Sequence, residues 1–83
     1  MDYLINMKIY ELIYIWEDDY DGSELTDTKL YKDRIEVDRE IESFCEQNKK
    51  AKGMLFDKDE TCISYEFKGG FSKLYINEHE LCD

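Results

Sequence analysis

The ten residues from Met7 to Trp16, Met-Lys-Ile-Tyr-Glu-Leu-Ile-Tyr-Ile-Trp, constrain this chain more than any other stretch. β-branched and aromatic side chains crowd it, which favours a pleated, packed strand over a helix. Its odd positions give Ile9, Ile13 and Ile15, and its even positions give Tyr10, Leu12, Tyr14 and Trp16. Both faces are therefore largely apolar, as expected of a central strand with one face against a helix. In a small antiparallel sheet the other face commonly looks to water, so it is covered by a loop or serves as a binding surface.

The rest of the chain can be arranged around that strand. Residues 1–6 are a lead-in in which Tyr3, Leu4 and Ile5 either extend the strand or pack beneath it. Residues 17–27 carry six acids and no base, with Gly22 and Ser23 as turn residues, and read as a loop. A short second strand is expected around Thr28–Lys32. Asp33 and Glu36 have capping-box spacing, and Val37, Ile41, Phe44 and Cys45 follow as one buried stripe. Lys49, Lys50 and Lys52 then suit the negative end of the helix dipole, and Gly53 suits a helix stop. The predicted helix covers about residues 34–50. Beyond it, Met54–Phe56 and Thr61–Lys68 read as strands, with Ile63, Tyr65 and Phe67 inward. If Gly69-Gly70 formed a two-residue type I′ turn, the hairpin would oppose Tyr65 to Leu74, Ile63 to Ile76 and Glu66 to Lys73. The expected fold is α+β, one domain over residues 1–83, with one helix on an antiparallel sheet of four to five strands in the order β-β-α-β-β-β.

Charge narrows the partners. The 21 acids outnumber the 11 bases, for a net charge of −10. Counterion release from nucleic acid needs Lys and Arg, so direct nucleic-acid binding is disfavoured, as is an anionic membrane. A basic protein surface or a metal ion is what such a field attracts. Three scattered cysteines, Cys45, Cys62 and Cys82, with no basic amino-terminal targeting region, predict reduced thiols in cytoplasm.

The candidate sites follow from the acids. Glu17, Asp19 and Asp21 fall at the first three ligand positions of an EF-hand loop, yet Glu24 stands where an apolar residue is wanted and Thr28 where the bidentate Glu belongs. His79-x-x-Cys82 with Cys45 and Cys62 lacks the close cysteine pairs of structural zinc, and a histidine this near the carboxyl end is expected on a frayed segment. No cofactor, metal or catalytic residue is therefore assigned. Along the helix, Glu36/Glu40, Asp38/Glu42 and Glu42/Glu46 are like-charge pairs four residues apart, each costing roughly 0.2–0.5 kcal/mol. A chain shaped only for folding would more often alternate signs there. The expected binding surface comprises Glu17, Asp18, Asp19, Asp21, Glu24 and Asp27 in the loop, Glu36, Asp38, Glu40, Glu42 and Glu46 on the helix, and Trp16 and Tyr20 as aromatic anchors if exposed.

Lys8-Ile9-Tyr10 running into Glu17-Asp18-Asp19, then Lys29-Leu30-Tyr31, a short helix and a closing Leu74-Tyr75-Ile76-Asn77-Glu78 with Glu80-Leu81, resembles a family of small uncharacterised α+β domains of bacteria and their phages. The chain departs from that pattern in lacking a Ser-rich helix start and in carrying an added strand at Met54 to Tyr65. The resemblance implies the fold and no activity. In size, acidity and cytosolic thiols the chain is also similar to phage anti-CRISPR proteins and to toxin-immunity proteins. That profile implies a non-enzymatic inhibitor, monomeric or homodimeric, that occupies a basic nucleic-acid-binding surface of a bacterial defence effector. The alternative is an immunity protein that neutralises a cognate toxin such as a nuclease.

Overall fold

A computed structural model of the protein describes residues 7–18, 22 and 24–81. The chain runs β1 (Met7–Asp18), β2 (Glu24–Tyr31), α1 (Arg34–Lys50), β3 (Met54–Lys58), β4 (Cys62–Phe67) and β5 (Gly70–Leu81). The strands form one antiparallel sheet in the order β2-β1-β5-β4-β3. This is the expected α+β fold with its β-β-α-β-β-β order. Two strands of 12 residues, β1 and β5, lie side by side as the spine. At about 3.3 Å per residue each spans about 40 Å, which makes the molecule long for its mass. Its radius of gyration is 15.4 Å, against about 12 Å for a compact chain of this length.

The helix lies over the even side of β1. Leu12, Tyr14, Leu74 and Ile76 from the spine and Ile63 and Tyr65 from β4 meet Val37, Phe44 and Cys45 from the helix in one buried cluster. Phe44 links the layers, tilted against Tyr14 and edge-on to Tyr65, with ring centroids 6.1 and 6.0 Å away. One polar pair sits within this core. The Ser72 hydroxyl bonds the Asn48 side-chain carbonyl, and the Asn48 amide donates to the Phe44 carbonyl at 2.7 Å. Every polar atom of that pair thus has a partner, as burial demands.

Both helix ends follow from local chemistry. The Asp33 carboxylate accepts from the Ile35 N–H at 2.9 Å, satisfying one of the otherwise unpaired amides of the first turn. At the other end Lys52 N–H bonds the Lys49 carbonyl and Gly53 N–H the Asn48 carbonyl, the two bonds of a Schellman stop. The left-handed residue of that motif is Lys52 (φ 63°) and not the glycine. Gly53 is small for another reason: a Cβ there would lie 2.7 Å from the Phe67 ring.

Three expectations are corrected. The acidic stretch 17–27 is strand over much of its length, because β1 continues through Glu17 and Asp18 opposite Phe71 and Gly70, and β2 begins at Glu24, not at Thr28. Backbone pairing carries these charged residues, and β2 is an edge strand whose side chains are almost all exposed. The β4–β5 register differs by two residues, with Ile63 opposite Leu74, Tyr65 opposite Ser72 and Phe67 opposite Gly70, so the turn is Lys68-Gly69. Neither turn residue takes the positive φ of a type I′ turn. Gly70 belongs to the sheet, since a Cβ there would strike the Glu17 carbonyl oxygen of β1. A shift of two preserves which residues face the helix, and it leaves Lys73 opposite Ser64, its ammonium 4.7 Å over the Phe71 ring, with no cross-strand partner in Glu66. Finally, His79 lies in β5 opposite Ile9, with its Nε2 3.2 Å from Glu11 Oε1. The segment around it is a paired strand, not a frayed end. The readings placed on Tyr3, Leu4, Ile5 and Cys82 lie outside the described residues.

Candidate functional site

Of the expected site residues, Asp19, Tyr20 and Asp21 lie outside the described residues. Of the others, Trp16, Asp27 and Glu40 meet on one flank of the helix and Asp38, Glu42 and Glu46 lie on the other, while Glu17 and Glu24 point to the sheet face away from the helix. On one flank, a cleft of about 400 Å³ opens between α1 and the β1–β2 hairpin. Tyr14, Trp16, Asp27 and Lys29 form its sheet wall, and Glu40 and Gln47 stand on its helix wall. On the other flank, Asp38, Glu42 and Glu46 line a separate groove with Lys49 and Lys58. Asp38 is partly neutralised there by Arg34, whose Nε is 3.1 Å from its carboxylate. The helical acids are thus two rows. Only the row containing Glu40 faces the acids of the hairpin.

The first flank is the more organised. Tyr14 is buried and Trp16 remains 42% exposed, although the two come from one face of one strand. Their rings stack with centroids 5.9 Å apart and planes 7° from parallel. The Tyr14 hydroxyl donates to Glu40 Oε2 at 2.9 Å, which fixes the carboxylate over the cleft. Burial, and then the Glu40 carboxylate, push the Tyr14 phenol well above its ordinary range. Tyr31 is raised for the same two causes in the same order. Both phenols remain donors at neutral pH, and the Tyr14 hydroxyl is the one seen bonded to Glu40.

Beyond Trp16 the hairpin becomes acidic. Glu17 stands directly opposite Glu24 across the strands, and Trp16 opposite Leu25, which is 69% exposed. Like charges in cross-strand register destabilise a hairpin, and an exposed Leu beside a half-exposed Trp gains little from folding. Phe67 and Phe71 come up to the same end from β4 and β5, beside Glu17 and Asp18. On the helix face this places Trp16, Leu25 and Phe67 beside Asp18 and Asp27, while Glu17, Glu24 and Phe71 lie on the reverse face of the sheet.

Lys29, Phe67, Phe71 and Gln47 were not among the expected site residues. Phe67, Phe71 and Gln47 reach the site through the sheet order and the docking of the helix, contacts with no local sequence signal. Lys29 did have one: it is two residues from Asp27, hence on the same face of β2.

Cys45 is buried in the core and Cys62 is half-buried. Burial first, then the nearby Asp59, raise the Cys62 thiol, the direction opposite to that of an activated nucleophile. Among the described residues, no three His, Cys, Asp or Glu side chains gather to hold a metal ion, and no helix is long and apolar enough to cross a membrane. No protein-family model, curated protein or solved structure matches this chain.

Proposed function

We propose that this protein is a non-enzymatic, cytoplasmic inhibitor that docks the acidic end of its β1–β2 hairpin, with the Glu40 side of the helix, onto a basic nucleic-acid-binding surface of a bacterial defence effector, in the manner of an anti-CRISPR protein. One observation carries the reading. Trp16 is stacked and half-exposed near the end of the hairpin, with Asp18, Asp27 and Glu40 on its own face of the sheet and the Glu17–Glu24 pair on the reverse face. A rigid aromatic anchor inside a polar rim is the composition of an interface hot spot, and the sign of this rim selects a partner rich in Arg and Lys. A cross-strand Glu17–Glu24 pair works against the stability of the hairpin, so a use in recognition accounts for its presence.

The test is capture from lysates of bacteria with and without phage-defence systems, using the wild-type chain and a variant with Glu17, Glu24 and Asp27 each changed to Lys. The expected result is recovery of a guide-RNA-binding effector by the wild type alone, lost as salt is raised. Recovery of one small basic toxin instead would move the function to immunity against that toxin. Equal capture by the charge-reversed variant would overturn the proposal.

A further inference from the structure

The cleft between the helix and the β1–β2 hairpin has the make-up of a cation receptor, and we infer that it accepts an arginine side chain from the partner, with the guanidinium stacked against Trp16 and bonded to the carboxylates of Glu40 and Asp27. This rests on the reading of a basic partner and specifies the contact at its centre. Three features support it.

First, the cleft already holds a cation. The Lys29 ammonium lies 5.5 Å from the centroid of the Tyr14 ring, within the range at which a positive charge is attracted to an aromatic face. Lys29 belongs to an exposed edge strand and reaches the ring on a flexible stem, so it can leave when a better-matched cation arrives.

Second, the two aromatic planes are within 7° of parallel and are built on adjacent same-face positions of one strand. The stack on buried Tyr14 holds the half-exposed Trp16 ring in place as one fixed, open aromatic face. A guanidinium is planar and weakly hydrated and stacks on such a surface, whereas a compact, strongly hydrated ammonium makes less use of it.

Third, the anionic groups are placed before any ligand arrives. Glu40 is oriented by the Tyr14 hydroxyl through Oε2, and Asp27 stands directly opposite Tyr14 on β2. A carboxylate opposite an arginine fork makes short, charge-assisted bonds, and one that is already fixed loses little freedom in doing so. The volume, about 400 Å³, suits one long side chain with its backbone left outside.

N-acetyl-arginine amide is the probe, with its neutral isostere N-acetyl-citrulline amide as control. Trp16 is the sole tryptophan, so its fluorescence and indole N–H resonance report on the cleft directly. The arginine compound should shift both signals saturably and the citrulline compound should not. Glu40→Gln, which keeps an acceptor for Tyr14, should weaken the binding about tenfold. Lys29→Ala removes the internal competitor and should tighten it about two- to fivefold, even though it makes no new contact.

Absence of a saturable shift, or citrulline binding as strongly as arginine, would overturn the assignment. A lysine analogue that binds as tightly would overturn the choice of guanidinium. If the arginine probe fails while salt-sensitive effector capture persists, the cleft proposal falls and the interface reading stands. If the probe binds and no basic partner is captured, the cleft stands and the inhibitor reading falls.

Discussion

Tyr14 ties the core to the candidate site, since its ring packs on Phe44 inside and on Trp16 outside while its hydroxyl holds Glu40. Tyr14→Phe keeps the ring and removes that bond. The cost at pH 7 should be roughly 1.5 kcal/mol, the low end for a hydrogen bond to a charged group, because Glu40 is only partly buried. The same residue gives the fold an alkaline limit. Its phenol is raised from 10 by burial and then by Glu40, and Tyr65 is raised to about 12 by burial and then by Cys45. A raised pKa means that the folded state holds the proton more tightly than the unfolded chain does. The associated stability is complete below pH 10 and declines as pH climbs through the folded values. Urea titrations at pH 8 and pH 11 should show this fall in the wild type and a smaller one in Tyr14→Phe. An equal fall in both would mean that Tyr14 is not one of the groups responsible.

At the scale of elements, the β1–β2 hairpin sets recognition against stability. Glu24→Lys replaces a cross-strand like-charge pair with an opposite one, which should stabilise the fold by a few tenths of a kcal/mol, within the roughly 0.2–1 kcal/mol range of such pairs. The same change should reduce partner capture, so thermal stability and affinity move in opposite directions in one variant. Reduced stability together with unchanged affinity would argue that the carboxylate pair is a folding feature. The elements also differ in how far they could be read from sequence. The helix was legible to its ends, because the Val37–Cys45 stripe, the Asp33 cap and the lysines of the last turn are local signals that agree. That β1 is a central strand with one face against the helix was legible for a similar reason, since a period of two needs only the strand itself. The register of β4 on β5 was not. It depends on β1, whose Glu17 carbonyl leaves room for Gly70 and for no side chain, and β1 is more than 50 residues away in sequence. At the site, the exposed Trp16 beside acids was legible as a motif, but its exposure depends on where the helix ends over the sheet. The division of the helical acids between two flanks was legible as well, since the helical period puts Glu36 and Glu40 on one side of the buried Val37–Cys45 stripe and Asp38 and Glu42 on the other.

For the molecule as a whole, the net charge of −10 acts on folding and on binding with opposite sign. The exposed ion pairs Lys8–Glu78 and Arg34–Asp38 are local and offset little of the general repulsion. A plate built on two long strands keeps most of these carboxylates at its surface, where each feels the others across a few ångströms of water and protein. Compaction brings them closer than they are in the unfolded chain, so self-repulsion opposes the fold at low ionic strength. Raising salt shortens the Debye length from about 30 Å at 0.01 M to about 3 Å at 1 M and removes most of that penalty. The melting temperature should therefore rise with sodium chloride, by about 4–8 °C for each kcal/mol of repulsion relieved in a domain of this size. Association with a basic partner should respond in the reverse direction. Its rate is raised by long-range attraction and falls steeply as the field is screened, while the dissociation rate, governed by contacts such as Trp16 in its pocket, changes much less. Measuring both over one salt series separates the two roles of the charge. A melting temperature that rises while the association rate stays flat would show that the acids burden the fold without steering a partner, and a rate that falls alongside the rising melting temperature would show that the carboxylates which weaken this small core are the ones that bring its target in.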